Sequence, residues 1–213
     1  MTIGGKDMNI LFVCTGNTCR SPMAAALLKE KIPQLNIQSA GIFASHHNRA
    51  NKHAIEVLRK RNITLNHETQ PVTEQLLHWA DLILTMTTQH KQSLIVQYPN
   101  FQEKYFTLKE YASAADKEVW DKLRKAYAEY ETKRSLFIKE NEFKLDNAKL
   151  EAKLAIHLEE NIKRIQQLEA NVINYDISDP FGGDIGVYEE TVKELDTYIT
   201  ILATKLNKLL EDE

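Results

Sequence analysis

The chain has 213 residues, 43% of them apolar and 27% charged, with a formal net charge of −3. That is the make-up of a globular protein of one or two domains. A negative balance with no basic block argues against a nucleic-acid partner. No window approaches the ~18 consecutive apolar residues a membrane span needs, and Met1 to Asp7 is too short and polar for a secretory leader. A cytoplasmic protein without a membrane partner is therefore expected. Both cysteines lie in one short stretch, which leaves no disulfide framework and no cysteine-rich metal site.

The first element is the apolar run Ile10, Leu11, Phe12 and Val13, which reads as a buried parallel strand. It is followed by Cys14-Thr15-Gly16-Asn17-Thr18-Cys19-Arg20-Ser21 and then by Pro22-Met23-Ala24, where Ser21 reads as an N-cap and Pro22 as the first helical residue. A strand, a short loop and a helix N-terminus turn successive backbone N–H groups toward one point, and the helix dipole adds to them. The loop is an anion cradle with a thiol, Cys14, on one wall and a guanidinium, Arg20, on the other. Arg20 can grip two oxygens of a phosphoryl group. A thiolate is the nucleophilic form of cysteine, and a helix N-terminus beside a cation favours it. The loop can thus bind a phosphate and attack it. Thr15, Gly16, Thr18 and Cys19 complete the cradle, Asn17 is expected to hold its shape, and Ser21 can also donate to the Cys14 sulfur. Cys19 beside Cys14 further suggests a reversible redox pair.

Beyond the first helix, about Pro22 to Ile32, the reading alternates. Strands are expected at Asn36 to Gly41, Asp81 to Met86 and Lys104 to Leu108. Helices are expected at Asn51 to Arg61, Val72 to Trp79 (opened by Thr73), Gln89 to Tyr98, and Val187 to Glu211. The pattern predicts an α/β fold: a doubly wound, four-stranded parallel sheet with helices on both faces and the Cys14 loop at the carboxyl ends of the strands. From Asn100 to Asp179 there is neither glycine nor proline, and apolar residues recur at helical spacing: Trp120, Leu123, Tyr127 and Tyr130, then Leu150, Leu154, Leu158, Ile162, Ile165, Leu168 and Val172. Acid-before-base pairs four apart, such as Asp121/Lys125, Glu129/Lys133 and Glu159/Lys163, support two long helices. A break near Asn141 to Asn147 makes a long antiparallel helical hairpin, a coiled-coil-like insertion over residues 112–171 in a domain formed by 1–111 and 172–213. Its twelve acids and twelve bases between Ser113 and Asn171 cancel, which argues against a nucleic-acid arm. The first reading of its apolar stripes is mutual packing of the two arms in one seam, and a homodimer or a protein partner through the hairpin is the alternative. The histidines show no metal-ligand spacing and read as surface or helix residues, and no metal or cofactor is called for.

The run Cys14 to Ala24, with its preceding strand, closely resembles the low-molecular-weight protein tyrosine phosphatase family. Within that family the Thr-Gly-Asn-Thr-Cys-Arg-Ser-Pro-Met-Ala sequence looks like the bacterial protein-arginine phosphatases. An Asp179-Pro180 step is often only a turn, but transfer from a poor leaving group needs a proton donor opposite the nucleophile. The resemblance implies that role for Asp179. Many tyrosine-specific members carry an aromatic pair after this proline, whereas here Phe181 is followed by Gly182 and Gly183. The resemblance implies a phosphatase with Cys14, Arg20 and Asp179 catalytic and Phe181 at the substrate. Its substrates would be phosphorylated proteins, with phosphoarginine first and phosphotyrosine as the alternative; an interaction protein whose hairpin recruits a partner is a third reading. Arsenate reductases on this fold need further cysteines, which the chain lacks.

Overall fold

A computed structural model describes residues 8–113, 116–141, 144, 146–170 and 174–211. Contacts divide the chain into two compact units: the residues up to Ser113 together with those from Tyr175 onward, and the stretch Ala114–Asn174.

The first unit is built on four parallel strands, β1 (Asn9–Cys14), β2 (Asn36–Gly41), β3 (Leu82–Thr85) and β4 (Tyr105–Thr107), in the order β2-β1-β3-β4. Strand side chains alternate between faces. Ile10, Phe12, Leu82 and Leu84 therefore pack with α1 (Arg20–Lys31), α2 (Lys52–Arg59), α5 (Leu108–Ala112) and α8 (Ile185–Glu211). Leu11, Val13, Ile83 and Tyr105 pack on the other face with α3 (Glu74–Trp79) and α4 (Thr88–Gln97). The longest contribution comes from α8, whose Tyr188, Val192, Leu195, Ile199, Leu202 and Leu206 form one stripe, each almost fully buried. Burying such a side chain stabilises by roughly 1.5–3 kcal/mol, so this stripe alone ties the chain's last helix firmly to the sheet.

Because β2 lies on one side of β1 and β3 on the other, the connections leaving β1 and returning to β3 diverge, opening a crevice at their carboxyl ends. The Cys14 loop sits there. The expected doubly wound fold is the one observed, with element ends shifted by one or two residues. Two short elements go beyond the sequence reading. A 3-10 helix spans Pro99–Lys104, and α5 starts at Leu108, where the strand was expected to end. Thr107 and Glu110 form a capping box that opens α5, a signal present in the sequence but short enough to be overlooked.

The second unit holds α6 (Asp116–Asn141) and α7 (Asn147–Ala170). Arg164 pairs with Glu129 at 2.9 Å, Lys133 donates to Asn161 at 3.0 Å, and the Phe137 and His157 rings lie 4.7 Å apart, so the two helices run antiparallel. Leu123, Ala126, Leu158 and Ile165 are buried. Tyr127 and Ile162, expected in the seam, are exposed: two straight helices share only a narrow contact, so the outer edges of each stripe face water. Trp120 and Val172, also expected there, lie outside the described side chains. The charge pattern is also rearranged. Lys163 keeps its expected partner Glu159, but Glu129 bridges across to Arg164 and Asp121 pairs with Arg124.

Candidate active site

Cys14 ends β1 and Arg20 begins α1, so the loop between them is short and its shape is set by its neighbours. The N-cap is Cys19, without a side-chain cap bond. This corrects the expectation that Ser21 caps the helix. Ser21 lies one residue inside it, and its hydroxyl is used elsewhere: it is 3.0 Å from Cys14 Sγ and accepts from Asn17 Nδ2 at 2.9 Å. Pro22 is then the third helical residue, still within the first turn, where a missing N–H breaks no helical bond.

Asn17 is fully buried and takes a left-handed backbone conformation, φ 56°, which asparagine tolerates better than most residues. Every polar group of its side chain is used. Nδ2 also donates to Ser39 Oγ at 2.9 Å, Oδ1 accepts from the Gln70 N–H at 3.0 Å, and its carbonyl accepts from His67 Nε2 at 2.9 Å. The Thr18 carbonyl accepts from the Asn51 N–H at 2.8 Å. Gly41, at the end of β2, allows this closeness. A Cβ there would stand 2.7 Å from the Thr15 oxygen and 2.9 Å from the Asn17 nitrogen, both backbone atoms that cannot yield.

On the opposite side, the segment after the second unit brings in the carboxylate. Arg20, 5% exposed, donates from Nη2 to Asp179 Oδ2 at 2.7 Å and from Nη1 to the Ile177 carbonyl at 3.4 Å. This loop is pinned at several points. The Ile177 N–H donates to the Met86 carbonyl, and the Thr88 N–H donates to Asp176 Oδ1. Lys109 Nζ donates to the Asp176 carbonyl at 2.8 Å and pairs with Glu194 at 2.7 Å, while Glu194 accepts the Ser178 N–H. Burial pushes the Glu194 carboxyl up, but the bonds from Lys109 and Ser178 outweigh it and hold it below the usual range.

Cys14, Thr15, Gly16, Thr18, Cys19, Arg20, Asp179 and Phe181 line one cavity of about 220 Å³. Every expected site residue is therefore on its wall except Asn17 and Ser21, which support it from behind. A larger depression of about 330 Å³ along α1, β2 and residues 64–70 holds neither cysteine. Both cysteines are free thiols. Cys19 Sγ is 3.1 Å from Tyr188 Oη and 3.5 Å from Thr18 Oγ1, and burial pushes its pKa up. Among the described residues no group of three His, Cys, Asp or Glu side chains is placed to hold a metal ion.

Two histidines have contacts that their expected surface or helix placement did not suggest. His67 is half-buried against the Asn17 carbonyl, and burial lowers its pKa. His90, in α4, is buried, with Nε2 2.8 Å from Thr15 Oγ1. Burial, then the Arg20 charge, lowers its pKa to about 4. Neither residue carries a motif; the signal for His90 was only its place in the helix that follows the carboxyl end of β3.

The profile of the low molecular weight phosphotyrosine protein phosphatase family matches residues 9–154. The chain belongs to that family. The phosphatase is 49% identical over 118 residues to a protein-arginine-phosphatase of Bacillus subtilis, covering 54% of this chain and 79% of that one. It is 41% identical over 108 residues to the low molecular weight protein-tyrosine-phosphatase PtpB of Staphylococcus aureus, covering 51% and 76%. A solved structure of the YwlE arginine phosphatase, a variant with a phosphorylated active-site serine, superposes with a TM-score of 0.66 at 34% identity over 94% of this chain and 97% of that one. The phosphatase family match stops inside α7, so Asp179 lies beyond it and is brought to the site by the fold.

Proposed function

We propose that this phosphatase removes phosphate from phosphoarginine in proteins through a phosphocysteine. The Cys14 sulfur attacks phosphorus, the loop amides and Arg20 hold the equatorial oxygens, and the P–N bond breaks as the Asp179 acid gives its proton to the departing guanidine nitrogen. Water then attacks the phosphocysteine, Asp179 takes its proton, and the S–P electrons return to Cys14, where the Ser21 hydroxyl donates to the thiolate. Arg20 exchanges the Asp179 carboxylate for phosphoryl oxygens as substrate enters, which frees Asp179 for the leaving group.

The observation that carries the arginine reading is the cavity wall. Two threonine hydroxyl groups, Thr15 and Thr18, stand beside a single aromatic, Phe181, and two glycines follow that ring. Hydroxyl groups suit a planar, polar guanidinium better than a phenol. The protein-arginine phosphatases at 43–49% identity support the same substrate class. Phosphotyrosine is the second reading, favoured by Phe181, which is 75% exposed and open to stacking.

Residues 112–171 are read as an insertion in a phosphatase domain made of 1–111 and 172–213. Leu136 and Ile156, exposed on its helices, are where a second copy or a protein partner would attach.

The deciding experiment compares turnover of phosphoarginine and phosphotyrosine peptides by the parent and by Thr18→Ile. A site that hydrogen-bonds a polar substrate group discriminates strongly when that bond is lost. Phosphoarginine turnover is expected to fall while phosphotyrosine turnover holds or rises. Equal loss on both substrates would remove Thr18 from the selectivity argument.

A further inference from the structure

His90 joins two threonines, one at each ring nitrogen. Its backbone N–H donates to Thr87 Oγ1 at 3.1 Å, the N-cap bond of α4. The same Thr87 Oγ1 lies 2.8 Å from His90 Nδ1. Having accepted one N–H, the Thr87 hydroxyl still holds a hydrogen, and among the described residues the one side chain within its reach is that ring. When Thr87 donates that hydrogen, Nδ1 accepts it. A neutral imidazole carries its single N–H on the other nitrogen, so Nε2 donates to Thr15 Oγ1 across 2.8 Å. Thr15 has thereby accepted a bond and keeps its own hydrogen, on a side chain that lines the Cys14 cavity.

We propose that His90 is a positioning residue for phosphoryl transfer: held by Thr87 with its proton on Nε2, it commits the Thr15 hydroxyl hydrogen to an oxygen of the bound phosphoryl group. The inference rests on the phosphatase reading of the site. Without His90 the Thr15 hydroxyl rotates freely and can turn its hydrogen away; with it, the donor is oriented before substrate arrives, which is the form in which a hydrogen bond lowers a barrier most. Burial keeps the ring neutral, its pKa lowered to about 4, so Nδ1 remains an acceptor throughout the neutral range. The buried face of α4 makes the arrangement rigid, since His90 is only 8% exposed.

The test uses the full chain with p-nitrophenyl phosphate and a phosphoarginine peptide. Thr15→Val and His90→Leu should each lower kcat/KM about tenfold or more, the range for losing one hydrogen bond to a charged group. The double variant should be no worse than either single one. His90→Gln, whose amide N–H can stand where Nε2–H does, should recover most of the loss. Independent losses that multiply in the double variant, or a glutamine variant as impaired as the leucine variant at parental thermal stability, would overturn the proposal. Nitrogen-15 spectra of the parent imidazole read the ring without any variant or substrate. The Nε2–H tautomer is expected at pH 7, and the Nδ1–H tautomer would refute the relay outright. A parent inactive on both substrates would instead bring down the phosphatase reading itself.

Discussion

Replacing Lys109 with methionine keeps the aliphatic stem of the side chain and removes its ammonium, which is the hub of the loop that carries Asp179. Lys109 and Glu194 are 7% and 24% exposed and 2.7 Å apart, and Lys109 also holds the Asp176 carbonyl at 2.8 Å. Removing one partner of a buried ion pair costs about 3–5 kcal/mol. Glu194 keeps the Ser178 N–H and some contact with water, which reduces the expected loss to about 2–3 kcal/mol. For a chain of this length that lowers the thermal midpoint by roughly 4–12 °C. Adding Glu194→Gln should return part of the loss, because the stranded charge goes with it. The kinetic consequence follows from position, since Asp176 and Ser178 lie just before Asp179. A looser loop should slow substrates that need a proton, phosphoarginine or an alkyl phosphate, more than p-nitrophenyl phosphate, whose leaving group departs readily. Calorimetry and a leaving-group series measure the two effects. A midpoint within a degree of the parent, or equal slowing of all leaving groups, would refute the reasoning.

Cys14→Ser should abolish turnover yet still bind phosphate, because the cradle is made of backbone amides and Arg20; isothermal titration with inorganic phosphate and a p-nitrophenyl phosphate assay separate the two, and measurable turnover would unseat Cys14 as nucleophile. Asp179→Asn should slow turnover by a factor of about 10²–10⁴, most for poor leaving groups, and a uniform loss along the series would remove its acid role. The buried imidazole of His90 predicts a pH effect on stability. Its folded pKa, about 4, lies below the ordinary value of 6.5, so its contribution is complete above about pH 6.5 and drains away as pH falls toward 4, at up to ~1.4 kcal/mol per pH unit. His90→Gln should flatten the urea midpoint over that window, and an unchanged slope would mean that other groups carry it.

Much of this was legible in the chain because local chemistry decides it. A strand, a loop and a helix start placed Cys14 and Arg20 at opposite ends of one short stretch, and no fold could separate them far. Short apolar runs located the first strand and period-3.6 patterns the long helices, and the missing glycine and proline located the hairpin, since a strand covered on both faces is apolar throughout and a half-covered helix on one face only. Asp179 was recognisable only by resemblance, as it lies 159 residues from Arg20, its partner in the fold. Where side chains compete for one partner, the sequence was silent or misleading. Ser21 keeps its expected contact with the Cys14 sulfur but is not the cap it looked like, and Glu129 looked paired with Lys133 but reached across to Arg164. The roles of His67, His90, Lys109 and Glu194 were decided by tertiary structure alone. A polar side chain takes its function from the groups that burial leaves within about 3 Å of it, and those groups come from helices and loops that only folding brings together.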